Sequence, residues 1–207
     1  RWIHKGRFTR EASHYLRRKG KKYCYHGTKE KGQITDRVSI DERPKEVVRR
    51  QRTGDCECDL IVSGTGKECI FTVVDRYSRF LFSGKLEDKT AIKVAEKMVA
   101  ALEAYEWHTL TFDNGKEFAR HIGIARALGA KSYFAHPYSP WERGTNENTN
   151  GLIREYLPKG SSFSDLRQEK LDAIVARLND RPRKCLGYKT PREVFFANCT
   201  RSDACCT

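Results

Sequence analysis

The chain has 207 residues, 38% of them hydrophobic, and a formal net charge of +13. This composition fits one main domain with a core and basic appendages. Its eight cysteines include no Cys-x-x-Cys pair, which argues against a zinc site or a disulfide framework and for buried free thiols in a reducing cytoplasm. No signal peptide and no stretch of about 18 apolar residues occurs, so we expect neither secretion nor a membrane span.

The positive charge is concentrated in residues 1–52, a predicted basic arm and linker that holds 17 Lys and Arg against 6 Asp and Glu. Five cationic side chains cluster in its middle: Arg17, Arg18, Lys19, Lys21 and Lys22. Such clusters bind nucleic-acid phosphates, and the neighbouring Tyr23 and Tyr25 suit stacking on bases or sugars. The alternatives are a solvated, disordered end and tyrosines that pack against the domain. A short helix is predicted at 45–52.

Residues 53–198 alternate between strand and helix patterns and predict a single domain. Hydrophobic alternation and turn residues predict five strands, at 56–63, 68–75, 78–85, 109–112 and 131–135. Helices are predicted at 91–104, 117–128 and 166–179, with a further helix that opens after Pro140. This order favours an α/β fold with a mixed five-stranded sheet, its first three strands antiparallel, and helices on both faces. Residues 199–207 are predicted to be a loose tail.

Three acidic residues stand out within these elements. Asp59 lies inside a strand, where an unpaired carboxylate is costly to bury, and Asp113 ends the strand 109–112. Glu147 lies on the helix after Pro140, one turn before Gly151, which would leave room for a ligand to approach closely. Carboxylates from separate elements suit Mg²⁺, and two such ions about 4 Å apart favour phosphoryl transfer.

Asp59, Asp113 and Glu147, with 33 residues between the last two, resemble the DDE triad of transposases and retroviral-type integrases. The surrounding motifs, Thr111-Phe-Asp-Asn-Gly-Lys-Glu-Phe118, Pro137-Tyr-Ser-Pro-Trp-Glu-Arg-Gly-Thr-Asn-Glu-Asn-Thr-Asn-Gly-Leu-Ile-Arg154 and Arg181-Pro-Arg-Lys-Cys-Leu-Gly-Tyr-Lys-Thr-Pro-Arg-Glu193, are similar to those of bacterial insertion-sequence transposases of the family numbered thirty. The resemblance covers roughly residues 30–197. Family members usually carry tryptophan where this chain has Cys56, and they have an N-terminal helix-turn-helix region that we do not expect here.

The resemblance implies a ribonuclease H-like catalytic domain of a DNA transposase, which cleaves element ends and transfers strands into target DNA. It further implies that Asp59, Asp113 and Glu147 bind two Mg²⁺ ions, for which Mn²⁺ can substitute. The implied partners are double-stranded DNA and further copies of the chain, in the bacterial cytoplasm with the nucleoid. A nuclease without strand transfer and a DNA-binding relic with an inactive triad are the alternatives.

Several polar side chains around the triad are candidate DNA contacts: Asn114, Lys116, Arg143, Asn150 and Arg154. A turn role for Asn114 and a merely exposed charge for Arg154 are the alternatives. We expect the nearby acids to be structural or surface groups, with Asp55 facing solvent, Glu57 in an ion pair and Asp75 in a bend. Trp141 is expected to pack as an anchor for the turn before the Glu147 helix.

Overall fold

The structure is a computed structural model that describes residues 34–199. A five-stranded sheet forms its centre, with strands β1 Asp55–Val62, β2 Cys69–Asp75, β3 Leu81–Leu86, β4 Thr109–Phe112 and β5 Lys131–Phe134. The strand order is β3-β2-β1-β4-β5. The β1–β2 and β2–β3 pairs are antiparallel, whereas the β1–β4 and β4–β5 pairs are parallel. The predicted mixed sheet is therefore confirmed, with β1 in the middle.

Six α-helices accompany the sheet: α1 Lys45–Arg49, α2 Ala91–Leu102, α3 His121–Ala127, α4 Gly144–Tyr156, α5 Gln168–Asn179 and α6 Pro191–Asn198. The helix predicted at 117–128 is divided into a 3-10 turn at Lys116–Phe118 and the shorter α3. Likewise, the chain after Pro140 first forms a 3-10 turn, Pro140–Arg143, and α4 begins only at Gly144. The element most clearly missed was α6, although Thr190, Pro191 and Glu193 form a capping box with proline in the first turn.

Alternating residues of β1 face two different layers of helices. Cys56 and Cys58 belong to a core that includes Met98 of α2 and Ile124 of α3. Ile61, two positions along from Asp59, belongs to a second core built with α4 and α5. Because strand side chains alternate between faces, Asp59 points to the α4 side of the sheet. Helices cover both faces, as predicted.

Residues 34–52, which the sequence assigned to the arm and linker, contact the domain in the structure. Ser39 forms a parallel bridge with Phe134 at the β5 edge, and Arg43 donates a 3.0 Å hydrogen bond to Thr111. Val47 of α1 is fully buried. The predicted basic cluster lies outside the described residues: Arg17, Arg18, Lys19, Lys21 and Lys22. Within the described range, no helix has the length and apolar character needed to span a bilayer.

Five cysteines fall within the described residues, and Cys56, Cys58, Cys69 and Cys185 are free thiols. Cys56, Cys58 and Cys69 are buried, as expected, whereas Cys185 is exposed and Cys199 is half-buried. Burial raises the pKa of the Cys56 and Cys58 thiols well above the ordinary value, which keeps both protonated and inert. The sheet cysteines are thus core residues.

Candidate active site

Asp59 and Asp113 occupy equivalent positions on neighbouring parallel strands. The β1–β4 register pairs Glu57 with Thr111, the last pair along these strands. Asp59 and Asp113 each lie two residues further on, so the same strand alternation places them on one face. Asp113 directly follows β4, and its Oδ1 accepts a 2.9 Å hydrogen bond from the Gly115 amide. The predicted strand-end carboxylate is therefore present.

The two aspartates share one cationic partner, Arg143. Arg143 Nη1 lies 3.3 Å from Asp59 Oδ1, and Nη2 lies 3.8 Å from Asp113 Oδ2. Burial raises the pKa of Asp59; the Arg143 charge opposes this shift and the Asp113 charge adds to it. The aspartate side chains retain 22% and 31% of their exposure. Two carboxylates around a single guanidinium form a site that attracts cations and remains open to solvent.

Polar contacts fix α4 above these aspartates. Asn150 Nδ2 donates a 2.9 Å hydrogen bond to Asp59 Oδ2. The Thr72 hydroxyl, on the strand next to β1, lies 3.1 Å from the amide oxygens of both Asn146 and Asn150. Because the hydroxyl has one proton, it donates to one of them at a time. Asn150 therefore ties the helix directly to a candidate catalytic carboxylate.

Glu147 lies in the first turn of α4, between Asn146 and Asn150. Its side chain is exposed, and it makes no ion pair or hydrogen bond within the described part of the chain. No group of three or more His, Cys, Asp and Glu side chains among residues 34–199 is arranged to hold a metal. The structure thus brings Asp59 and Asp113 together around Arg143 but does not group Glu147 with them.

Two nearby acids, Glu57 and Asp75, have structural roles. Glu57 is 1% exposed, accepts a 2.9 Å hydrogen bond from the Asn146 amide, and lies 3.2 Å from Arg76 Nε, without hydrogen-bond alignment to it. The expected ion pair is confirmed, and the contact also anchors the start of α4 to the sheet. Asp75, expected as a structural residue in a bend, is the last residue of β2 and is fully buried.

The expectation that Asp55 faces solvent was wrong. Asp55 is 1% exposed because its carboxylate accepts hydrogen bonds from Arg52 Nε at 2.9 Å and from Thr109 Oγ1 at 2.7 Å. Trp141 was also interpreted incorrectly, since it is 71% exposed, and Tyr138 beside it is 98% exposed. Instead of a packed ring, Glu142 holds this turn by accepting hydrogen bonds from His136.

Comparison with known proteins identifies the domain. Residues 50–140 match the family model described as the integrase core domain. A transposase for the insertion sequence element IS4351 of Bacteroides fragilis is 49% identical over 185 residues, or 87% of this chain and 57% of that protein. Transposase InsI for the element IS30A of Escherichia coli is 39% identical over 200 residues, or 90% and 52%. The chain is therefore similar to insertion-sequence transposases, and its residues 50–140 match an integrase core. It spans about half the length of the curated relatives it matches.

Solved structures confirm the ribonuclease H-like fold of this integrase core. The catalytic core domain of BIV integrase aligns with a TM-score of 0.56 and 22% identity, covering 70% of this chain and 94% of that one. The simian T-cell lymphotropic virus intasome structure gives a TM-score of 0.56 and 19% identity, covering 69% and 54%. The predicted resemblance to family-thirty transposases is also confirmed, and this family implies dependence on a divalent metal.

The side chains predicted to contact DNA differ in exposure and in the hydrogen bonds that they already make within the protein. Lys116 is exposed, whereas Asn114 donates a 2.6 Å hydrogen bond to the Ala135 carbonyl and accepts one from Arg37. Arg154 donates to the carbonyls of Val62, Leu157 and Pro158 at 3.3–3.4 Å, so it closes the end of α4. Arg143 and Asn150 face the aspartates, and DNA contact by all five residues stays a prediction.

Proposed function

We propose that the chain is the catalytic domain of a DDE-type DNA transposase that uses Asp59, Asp113 and Glu147. The observation that carries the proposal is the pair of aspartates on adjacent strands around one cation, with α4 tied to Asp59 through Asn150. The integrase-core match and the similarity to insertion-sequence transposases support it.

The reaction proposed is hydrolysis of a phosphodiester at the element end, followed by in-line attack of the freed 3′-hydroxyl on a target phosphodiester. In that scheme water displaces the 3′-oxygen at the element end, and the freed 3′-hydroxyl then displaces the 3′-oxygen of a target phosphodiester. No protein side chain becomes covalently attached to DNA. Asp59 and Asp113 would hold the divalent cations on the face of the sheet that α4 covers. Glu147 presents a third carboxylate from α4, on the solvent side where DNA enters. Asn150 orients Asp59 by donating to Oδ2.

The residues fit a hard divalent cation. Carboxylate oxygens are the ligands that Mg²⁺ and Mn²⁺ prefer, and the Arg143 guanidinium already shows that the two aspartates stabilise a positive charge between them. Such a metal supplies Lewis-acid activation of the attacking oxygen and neutralises the charge that develops on the phosphoryl group. Asp59, Asp113 and Glu147 would hold it, with Arg143 giving way to it. We include in this proposal that the metal is a pair of Mg²⁺ ions, for which Mn²⁺ can substitute.

Double-stranded DNA, as element end and as target, is the proposed partner, in the bacterial cytoplasm. Assembly of several copies on DNA is part of the same proposal. The structurally similar simian T-cell lymphotropic virus structure is an intasome, which supports the idea of an assembly.

The test is strand cleavage and joining with Mn²⁺ by a Glu147→Gln variant on pre-cut and uncut element ends. We expect DNA binding to persist and both reactions to fall by at least about 100-fold, since one charge-stabilising group at the reacting phosphoryl is lost. Glu155→Gln is the matched control, because Glu155 is an exposed carboxylate of the same helix whose Oε2 is 3.5 Å from Arg181 Nη1.

Wild-type rates in Glu147→Gln would refute the assignment of Glu147. Cleavage by the wild-type protein without joining of pre-cut ends would instead indicate a nuclease.

A further inference from the structure

An arginine-lined hollow lies beside the start of α4, on a helix face other than the one that contacts Asp59. It consists of two adjoining cavities of about 770 Å³ and about 290 Å³ that share Arg50, Arg79 and Cys185 as lining residues. The β2–β3 turn, the 3-10 turn at Lys184–Leu186 and the first two turns of α4 form its walls. We call this region the arginine cavity.

The charges around the arginine cavity are strongly unbalanced. Five cationic residues line it: Arg50, Arg76, Arg79, Arg183 and Lys189. Glu193 is the one acidic residue among the lining residues, and its carboxylate is engaged in capping α6 through the Thr190 amide at 2.8 Å. The cavity therefore has a large excess of positive charge that its own walls do not neutralise.

Several of these guanidinium groups have unused donors. Arg76 is 5% exposed, and its Nη1 has no hydrogen-bond partner among the described residues; Glu57, 3.2 Å from Nε, is its ion-pair partner. Arg79 donates from Nη1 to Thr145 at 2.9 Å but leaves Nε unpaired, and Nε of Arg183 is likewise unpaired. Buried donors without acceptors are costly, so an anion with several oxygens would stabilise this arrangement.

The closeness of the arginines to one another also favours binding of an anion. Burial lowers the pKa of Arg76 and Arg79, and in both cases the charge of Arg50 adds to the effect. The like charges are thus held together in a partly desolvated space. A bound anion would offset both the repulsion between the arginines and the free-energy cost of burying their charges.

The arginine cavity and the candidate active site use different faces of the same helix turns. Thr145 and Asn148 line the cavity, while Asn146 and Asn150 face the sheet and Asp59. Both sites are thus built on the first two turns of α4. A DNA backbone at Glu147 can therefore reach the cavity within a few phosphates.

We propose that the arginine cavity binds a backbone phosphate of duplex DNA a few nucleotides from the reacting phosphodiester. This inference rests on the proposed function, because it assumes that DNA occupies the carboxylate site. The group that the cavity recognises is a phosphate with at least two free oxygens, because a guanidinium group binds such a phosphate through two parallel hydrogen bonds. The cavity positions DNA without reading its sequence, since phosphate contacts carry no base information.

Binding of a fluorescent DNA duplex by the full chain, measured by anisotropy in EDTA over a range of salt concentrations, tests the proposal. Arg50→Gln and Lys189→Gln each remove a lining charge without touching the buried Glu57–Arg76 pair. For each we expect an affinity loss of about 5- to 10-fold at 0.1 M salt and a salt slope smaller by about one. Arg50→Lys keeps the charge and should retain most of the slope.

Arg126→Gln is the matched control, because Arg126 is an exposed arginine of α3 outside the cavity. Melting temperatures equal to wild type establish that the variants fold. Unchanged DNA affinity and slope in both cavity variants would overturn the proposal. A second arm uses inorganic phosphate, which should raise the melting temperature of the wild type more than that of Arg50→Gln. Protection by phosphate with unchanged DNA affinity would overturn the DNA assignment and indicate a small-anion site.

The metal-free condition separates this inference from the proposed function. Loss of DNA affinity in the cavity variants supports the arginine cavity even if no variant of the carboxylates alters cleavage. Conversely, if Glu147→Gln abolishes cleavage while the cavity variants bind DNA normally, the proposed function stands and the arginine-cavity proposal fails.

Discussion

Two groups of acidic residues on the same sheet differ in burial and in partners. Glu57 and Asp75 are at most 1% exposed, and each has fixed donors within the fold. Asp59 and Asp113 keep part of their exposure and share a single arginine, while Glu147 extends into solvent. The difference separates acids that stabilise the fold from acids that remain available to a ligand, although Glu57 and Asp59 are only two residues apart.

The largest expected effect on stability is at Glu57. Glu57→Ala leaves Arg76 as a buried charge without its ion-pair partner and removes the acceptor for the Asn146 amide. We expect the free energy of unfolding to fall by about 3–5 kcal/mol in urea denaturation. Glu147→Ala, with no partner to lose, should change it by less than about 0.5 kcal/mol. Equal effects at the two positions would remove the distinction between the groups.

Asp75 provides a pH test of the buried group. Burial raises its pKa from 3.8 to about 6, against hydrogen bonds from Ser78 and Gly54 that favour the charged form. Between pH 4 and pH 6 the folded protein thus holds a proton that the unfolded chain has released. This contribution to stability is complete below pH 4 and is lost as the pH rises through 6, by about 3 kcal/mol.

Urea denaturation at several pH values checks this window by comparing the wild type with Asp75→Asn, which cannot titrate. The difference between their unfolding free energies should change by about 2 kcal/mol from pH 4 to pH 7, because part of the contribution is already lost at pH 4. Asp165→Asn is the control, since Asp165 is exposed and should leave the wild-type pH dependence intact. A constant difference for Asp75→Asn across this range would contradict the prediction.

Arg143 tests the group of acids that remains available to a ligand. Arg143→Gln removes the shared cation and leaves Asp59 and Asp113 with less compensated charge, at a cost of about 1 kcal/mol for such partly exposed pairs. Mn²⁺ should then raise the melting temperature of Arg143→Gln more than that of the wild type, because the metal no longer competes with the guanidinium. Arg126→Gln should respond to Mn²⁺ like the wild type. An equal response of all three proteins would exclude competition at this position.

The sequence allowed much of the fold to be predicted, because its signals are local. Strand β4 was predicted with the observed bounds, since its apolar run ends on Asp113, Asn114 and Gly115. The three carboxylates stood out by their positions in the predicted elements, and the family resemblance assigned them as a triad. The Arg143 ion pairs and the arginine cavity were missed because they depend on side chains far apart in the chain, such as Arg50 and Arg183. The burial of Asp55 was missed for the same reason, as Thr109 comes from another strand.

The smallest expected effect is at Gly151, and it separates stability from ligand access. An added Cβ at Gly151 meets nothing within 4 Å, and the same holds for Gly123 of α3. Both are helical positions, so Gly151→Ala and Gly123→Ala should each stabilise the protein by about 0.5–1 kcal/mol in urea denaturation. If DNA approaches α4 closely beside Glu147, Gly151→Ala alone should weaken duplex binding in the anisotropy assay. Equal DNA affinity in the two alanine variants would show that the open face one turn after Glu147 does not lie against DNA.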